Sequence, residues 1–544
     1  MRAVAVVLLV MALVMISASL WVPLLTASRT PPPETGPPTP GVAAGMPGVV
    51  VPSAHPTWPG YTSPDRQTGV ASPGRRTGVA SSAPRENLTE PPPGAGLRRY
   101  LDQQVAWQRC GKHECATVTA PLDWDDPDGE AITLSMLRVR SAAPTRGPLF
   151  VNPGGPGIGG KRFAASIPAD AFQGYDIIGW DPRGTGESTP VRCATKEQTE
   201  AHNQLDGSPD DESEYRELLE ASREFARLCR ENSGRLLDHV STLDTARDLD
   251  LLRALLGADK LAYFGISYGT YLGAVYAEFF PDRVGRMILD SAVDITGERT
   301  DTFAEGFEVA FDAFLGWCVR LATCPFGETI DQARSTIAAF VDGLDAAPQQ
   351  VGNRTLTQTL AVVGIQSFLY GDEESYPQLI KALQSAMAGN GASLLKSSNW
   401  LTGRNDDGSY DTVAYANPAI RCLDWADAGL KRAREQWVQV QRSAPLFGRW
   451  LGPGTGCEVW TAAPVPQYRL VGAGAPPIMV VGVRTDPATP YRQAVAMAGQ
   501  LESGFLVTLE GSGHGAVLSG NQCILRVARD YLLHGKWGEN TVCR

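Results

Sequence analysis

Hydrophobic positions fall into two rhythms along this chain. From about Leu97, short β-branched apolar runs alternate with helix-length amphipathic segments. Residues 132–139, 148–151, 175–180, 261–266 and 284–289 read as strands. Residues 244–256 read as a helix, with Ser241 or Thr242 as cap and Gly257 as stop. A second helix, 268–280, leaves the strand 261–266 directly and ends at Pro281. The alternation stops near Asp294. Over 298–469 the pattern is mostly helical, with helical apolar spacing at 302–321, 329–344, 377–387 and 430–440. Strand rhythm then returns: strand 477–483, helix 492–501, strand 505–509, helix 523–534. Strands alternating with helices predict an α/β fold whose mostly parallel sheet is covered on both faces. The helical stretch predicts an inserted cap, a common roof over an active site.

The chain before this rhythm is of another kind. Arg2 precedes an apolar run from Ala3 to Leu25, broken only by Ser17, Ser19 and Pro23. Residues 1–28 read as a secretory signal with Ser17-Ala18-Ser19 as a tolerable cleavage site, or as an uncleaved anchor that would tether the chain to a membrane. Residues 29–96 are rich in Pro, Gly, Ser, Thr and Ala and cannot bury enough apolar surface to offset their ordering entropy. They read as a disordered spacer. The expected organisation is therefore signal or anchor (1–28), linker (29–96), α/β core (97–297), helical cap (298–469) and the rest of the core (470–544).

Charge and cysteine content narrow the class. The net charge of −11 does not attract nucleic-acid phosphates, and nucleic acid is not an expected partner. It is compatible with cationic substrates such as peptides with a free amino terminus. Ten cysteines suit export into an oxidising compartment. They lie as neighbouring couples, 110 and 115, 193 and 229, 318 and 324, 422 and 457, 523 and 543, which suits several local disulfides, although spacing alone leaves the connectivity open. No C-x-x-C occurs, so zinc-site and thioredoxin-like readings are poor.

The candidate chemistry begins with Gly265-Ile266-Ser267-Tyr268-Gly269, a G-x-S-x-G placed between a strand and a helix. That is the setting of a nucleophile elbow, where a tight turn exposes the serine oxygen and the flanking glycines let strand and helix approach. A serine hydroxyl needs a base. In an α/β-hydrolase fold the partners follow in the order Ser, acid, His. After Ser267 the histidines are His514 and His534. His514 lies in a Gly-Ser-Gly-His-Gly loop just after a strand, whereas His534 ends a helix, so His514 is the candidate base. Asp486, just past the strand 477–483, is the candidate acid, with Glu510 a weaker rival. Asn152-Pro153-Gly154-Gly155-Pro156-Gly157 follows another strand and is the candidate oxyanion loop, with the backbone N–H groups of Gly155 and Tyr268 as donors. No Lys-Ser or Lys-Thr follows this loop in the spacing of a phosphate cradle. Asp181 and Arg183, in Asp181-Pro182-Arg183-Gly184-Thr185-Gly186, read as a pair that fixes a neighbouring turn.

Taken in order, NPGGPG, WDPRGTGES, GISYGTYLG, TDPATP and GSGHG resemble the exported tripeptidyl-aminopeptidase-type α/β hydrolases of actinobacteria, relatives of proline iminopeptidases. The resemblance spans roughly residues 100–544 and includes TAPLDW and AIRCLDW. It implies cleavage of short peptides from a free N-terminus by Ser267, Asp486 and His514, with no metal or organic cofactor. It also implies an acidic cap residue that binds the substrate ammonium; Asp424 is the candidate. Many such relatives are lipoproteins, and this chain has no Cys before Cys110 to carry the lipid. The same triad would serve an exported carboxylesterase or lipase, and an inactive hydrolase fold used for binding is a further alternative.

Overall fold

The computed structural model describes residues 88–544 except Pro144, Ala169, 298–301, 426–428 and 539–540. The apolar segment 1–28 and most of the 29–96 spacer lie outside the described residues. Thr89 bridges antiparallel to Ala131, its N–H 2.9 Å from the Ala131 carbonyl, so chain before Leu97 already pairs with the sheet.

The apolar runs assemble into one sheet. Its strands are β1 (Gln108–Cys110), β2 (His113–Pro121), β3 (Ala131–Val139), β4 (Pro148–Asn152), β5 (Asp176–Trp180), β6 (Leu261–Ile266), β7 (Val284–Asp290), β10 (Ile478–Thr485), β11 (Gly504–Ser512) and β12 (Thr541–Cys543). A separate hairpin holds β8 (Gln349–Val351) and β9 (Arg354–Leu356). The order across the sheet is β1-β2-β3-β5-β4-β6-β7-β10-β11-β12. From β5 to β12 every neighbouring pair is parallel, and the β1–β2, β2–β3 and β3–β5 pairs are antiparallel. The central parallel strands are apolar on both faces, as a sheet covered twice requires. Successive residues go to opposite sides: Tyr263, Leu289 and Val480 join one core, while Phe264, Ile288 and Val481 join the other.

Helices cover both faces. In chain order they begin with α1 (Arg98–Leu101), α2 (Gly160–Ser166), α3 (Lys196–Asn203), α4 (Glu212–Ser233), α5 (Thr242–Leu255) and α6 (Tyr268–Phe279). The insert supplies α7 (Phe303–Val319), α8 (Ile330–Ala346), α9 (Gln358–Leu369), α10 (Tyr376–Met387), α11 (Ala392–Thr402), α12 (Val413–Asp424), α13 (Leu430–Val440) and α14 (Phe447–Trp450). The last two are α15 (Tyr491–Gln500) and α16 (Gln522–His534). Helix α6 is buried almost all round, against α5 and the sheet.

The insert has a core of its own. Phe307, Phe311 and Phe314 of α7 pack with Ile337, Ile365, Leu379, Leu394 and Phe447. Helix α12 departs from this: Ala416, Ala419, Ile420 and Leu423, at helical spacing, belong to the sheet's cluster. Helices α3 and α4, not read from the sequence, tie the insert to the core. Glu200 of α3 accepts from Arg354 (2.8 Å) and Arg404 (2.6 Å). Burial opposes ionisation of Glu200, yet these cations hold its pKa down at about 2. Ser222 of α4 meets Thr455 at 3.1 Å.

All five neighbouring cysteine couples are disulfides: 110–115, 193–229, 318–324, 422–457 and 523–543. Five such bonds suit an extracytoplasmic chain. Among the described residues no helix is long and apolar enough to cross a membrane.

The expected Asp181–Arg183 pair does not form. Arg183 and Asp248 of α5 are both fully buried and make a two-pronged contact, 2.7 Å at each prong. Asp181 instead accepts the N–H groups of Lys161 and Glu187. The guanidinium fork suits a facing carboxylate better than a neighbour two residues away. Removing one member of a buried pair strands the other charge. Asp248→Ala is therefore expected to lower the unfolding free energy by about 3–5 kcal/mol, read from urea melts.

Candidate active site

The carboxyl ends of β4, β6, β7, β10 and β11 meet at one edge of the sheet. Strand β6 runs into Ser267, whose φ of 57° and ψ of −127° lie where a β-carbon is strained. Helix α6 starts at the next residue. The turn is fastened on both sides of Ser267: its N–H donates to the Asp290 carbonyl (3.0 Å), and its carbonyl accepts from the Thr270 hydroxyl (2.6 Å). The strand and helix are too close for side chains. A β-carbon on Gly265 would sit 2.4 Å from the Gly269 carbonyl oxygen.

The structure brings His514 and Asp486 together. His514 Nδ1 lies 2.8 and 3.1 Å from the two Asp486 oxygens. Asp486 also accepts the N–H groups of Ala488 (3.0 Å) and Thr489 (2.9 Å), so it closes a turn and holds the imidazole at once. The Thr489 hydroxyl is 3.4 Å from the same ring nitrogen. With Nδ1 engaged, Nε2 is the nitrogen left to exchange a proton. Burial pushes the imidazolium down, but the Asp486 charge and hydrogen bond, with Asp290 beyond, outweigh it and the His514 pKa ends above the ordinary 6.5. The rival acid, Glu510, instead pairs with exposed Arg484 at 3.0 Å. Next to His514, Gly515 lies against Ile266, the residue before Ser267.

The NPGGPG loop closes on the same turn. Gly154, at φ 90°, passes so near that a β-carbon would lie 3.0 Å from Ser267 Cβ and 3.1 Å from the Tyr268 nitrogen. Its own N–H is taken by the Asn152 side chain at 2.8 Å. Gly155 follows at φ 110°. Tyr268 is the first residue of α6, where an N–H has no partner within the helix.

Three residues not singled out from the sequence also shape the site. Asp290, fully buried at the end of β7, accepts the N–H groups of Ala516 (3.0 Å) and Val517 (2.8 Å) in the His514 loop. Burial pushes its pKa up to about 6 against those two donors. An acid ending a parallel strand is the sequence signal that points to it. Tyr370, after α9, accepts the His514 N–H through its carbonyl at 3.0 Å and lays its ring edge-on to the imidazole. Thr489 is the third. Tyr370 also meets the buried Phe307 and the exposed Trp400, so aromatic rings gather around the residue that touches His514.

Asp424 is placed otherwise than expected of a substrate anchor. It is 1% exposed, and its oxygens accept from the Thr242 N–H (2.8 Å) and hydroxyl (2.5 Å). Burial pushes its pKa up to about 7 despite these donors.

Residues 147–520 match the family described by the alpha/beta hydrolase fold. The chain belongs to the α/β-hydrolase family. Within this family it is 32% identical over 471 residues to Serine protease Hip1 of Mycobacterium tuberculosis, covering 80% of this chain and 90% of that protein. It is 30% identical over 459 residues to Tripeptidyl aminopeptidase of Streptomyces lividans, covering 79% and 85%. Carboxylesterase B of Mycobacterium tuberculosis is 33% identical over 486 residues, covering 81% and 91%. In this α/β hydrolase, ring-proton NMR is expected to show His514 titrating above 6.5. Asp486→Asn is expected to move the midpoint down, since burial then acts without the carboxylate; an unmoved midpoint would contradict the assigned cause.

Proposed function

We propose that the protein is an exported serine peptidase that releases short peptides from the free N-terminus of its substrates, with Ser267 as nucleophile, His514 as base and Asp486 as its orienting acid. The reading is carried by the Asp486–His514 contact held beside the strained Ser267 turn. Peptidase relatives over about four-fifths of the chain support the substrate class.

Ser267 attacks the scissile carbonyl as His514 Nε2 takes its proton, and Asp486 stabilises the imidazolium. The Gly154 N–H is engaged with Asn152, which leaves the next N–H, that of Gly155, to face the oxyanion together with that of Tyr268. The amine departs with the proton from His514, and water hydrolyses the acyl-enzyme. The disulfides and the apolar start of the chain support export; whether that start is cleaved, releasing the protein, or retained as a tether decides between secretion and envelope attachment.

A carboxylesterase is the second reading. The aromatic surface around Tyr370 and the relative named carboxylesterase B favour it, and the same acyl-enzyme serves an ester.

Comparing a tripeptide amide with its N-acetylated twin separates the two. The free-amine form alone is expected to be cleaved, and Ser267→Ala to abolish it; turnover of esters but of neither amide would leave the esterase. The base must be neutral, so kcat/KM is expected to rise with pH through a midpoint above 6.5 and to be lost below it. Asp486→Asn is expected to cut kcat about 10⁴-fold, the loss known for this substitution in a serine-protease triad.

A further inference from the structure

Helix α12 touches the NPGGPG loop that closes on Ser267, the turn at Gly186 and the start of α5. Near its start, the Asn417 side-chain amide donates to the Pro156 carbonyl at 3.0 Å, and Gly157 lies so close that a β-carbon there would come within 2.8 Å of the Asn417 nitrogen. One residue before the helix, the Thr412 hydroxyl accepts the Gly186 N–H at 2.8 Å. At its last residue, Asp424 accepts both the N–H and the hydroxyl of Thr242, the first residue of α5. The Thr242 oxygen is in contact with the Tyr268 hydroxyl. While Asp424 is ionised Thr242 gives its proton to it, the Tyr268 phenol donates to Thr242, and the chain Tyr268–Thr242–Asp424 has one direction. Trp425 lies edge-on to the Tyr268 ring at 6.5 Å and closes the group.

We propose that Asp424 is a positioning residue for the oxyanion hole: through Thr242 it fixes Tyr268 at the first turn of α6, while Asn417 on the same helix fixes the loop that carries Gly155. The inference rests on the reading that these two N–H groups face the oxyanion. It gives Asp424 a role in the transition state and not in holding a substrate ammonium. The carboxylate is 1% exposed and each of its oxygens is engaged by Thr242. The phenol it orients belongs to the residue whose N–H adjoins Ser267. Oxyanion donors act only when aimed at where charge develops, so a small displacement of Tyr268 lowers kcat more than it changes substrate binding.

The test is steady-state kinetics of the full chain on a tripeptide p-nitroanilide and a p-nitrophenyl ester, with thermal melts to confirm folding. Asp424→Asn and Tyr268→Phe are each expected to lower kcat about 10–100-fold on both substrates. KM should change less than about threefold, and the double variant should be no slower than the slower single one. Thr242→Val should behave like Asp424→Asn, and Thr242→Ser, which keeps the hydroxyl, should recover most of the rate. Should Asp424→Asn fail to fold, Tyr268→Phe and the two Thr242 variants carry the same comparison. A raised KM confined to the free-amine peptide would return Asp424 to a substrate anchor and overturn the inference. Wild-type kcat, or fully additive losses, would also overturn it. Ser267→Ala with wild-type turnover would overturn the acyl-enzyme reading and the inference together, whereas an inactive Ser267→Ala beside an unaffected Asp424→Asn overturns the inference alone.

Discussion

Asp290 fastens two loops that lie far apart in the sequence, the Ser267 turn and the His514 loop. Its carbonyl receives the Ser267 N–H and its carboxylate receives two N–H groups from the His514 loop. It sits in the strand between them: β7 pairs with β6 on one side and with β10 on the other. The parallel register thus turns into a fixed separation between Ser267 and the loop that carries His514. A carboxylate in this position is costly to bury, and its raised pKa records that cost. Two backbone donors offset part of it and lose their own partner if it is removed.

Two further carboxylates, those of Asp486 and Asp424, lie buried nearby, and what each faces decides what it can do. Asp290 faces amides and Asp424 faces a threonine, so both orient backbone or hydroxyl groups. Asp486 alone of the three makes a hydrogen bond to the His514 imidazole. It is therefore the one that gains most when the ring becomes a cation. Asp290 adds a smaller charge effect of the same sign. The aspartates are alike in burial and differ in donors, and chemistry follows the donors.

Much of this was legible in the sequence, for physical reasons. Strands buried on both faces leave apolar runs, and all the strands so read are present. The elbow shows because Gly265 is demanded by a local contact with Gly269, although Gly269 itself is pressed by Asn152 of β4. The disulfide couples show because each closes a short span. Other features hide. Helix α4 is polar overall, although Asp211 and Glu214 form a capping box at its start. Strand β12 is three residues long and joins the sheet by pairing with β11. Side-chain partnerships over long separations hide completely. Arg183 pairs 65 residues away with Asp248, not with Asp181, and Asp424 meets Thr242 182 residues away. Sequence places acids at the ends of elements, but which donor comes to face them is a property of packing.

The same distinction divides the insert. By position along the chain α12 belongs with the helices around it. By packing it belongs to the sheet, and the Cys422–Cys457 bond joins its last turn to the segment leading back toward β10. The layer built on α7 to α11 has a separate core and reaches His514 through Tyr370. A layer with its own core can change the side chains it shows to a substrate without disturbing the sheet, whereas α12 cannot move without moving the Pro156 loop and Thr242. Relatives named as a protease, an aminopeptidase and a carboxylesterase, at nearly equal identity to this chain, fit that division. In the proposed reading acyl transfer rests on the sheet edge and α12, while the layer above adjoins His514 through Tyr370.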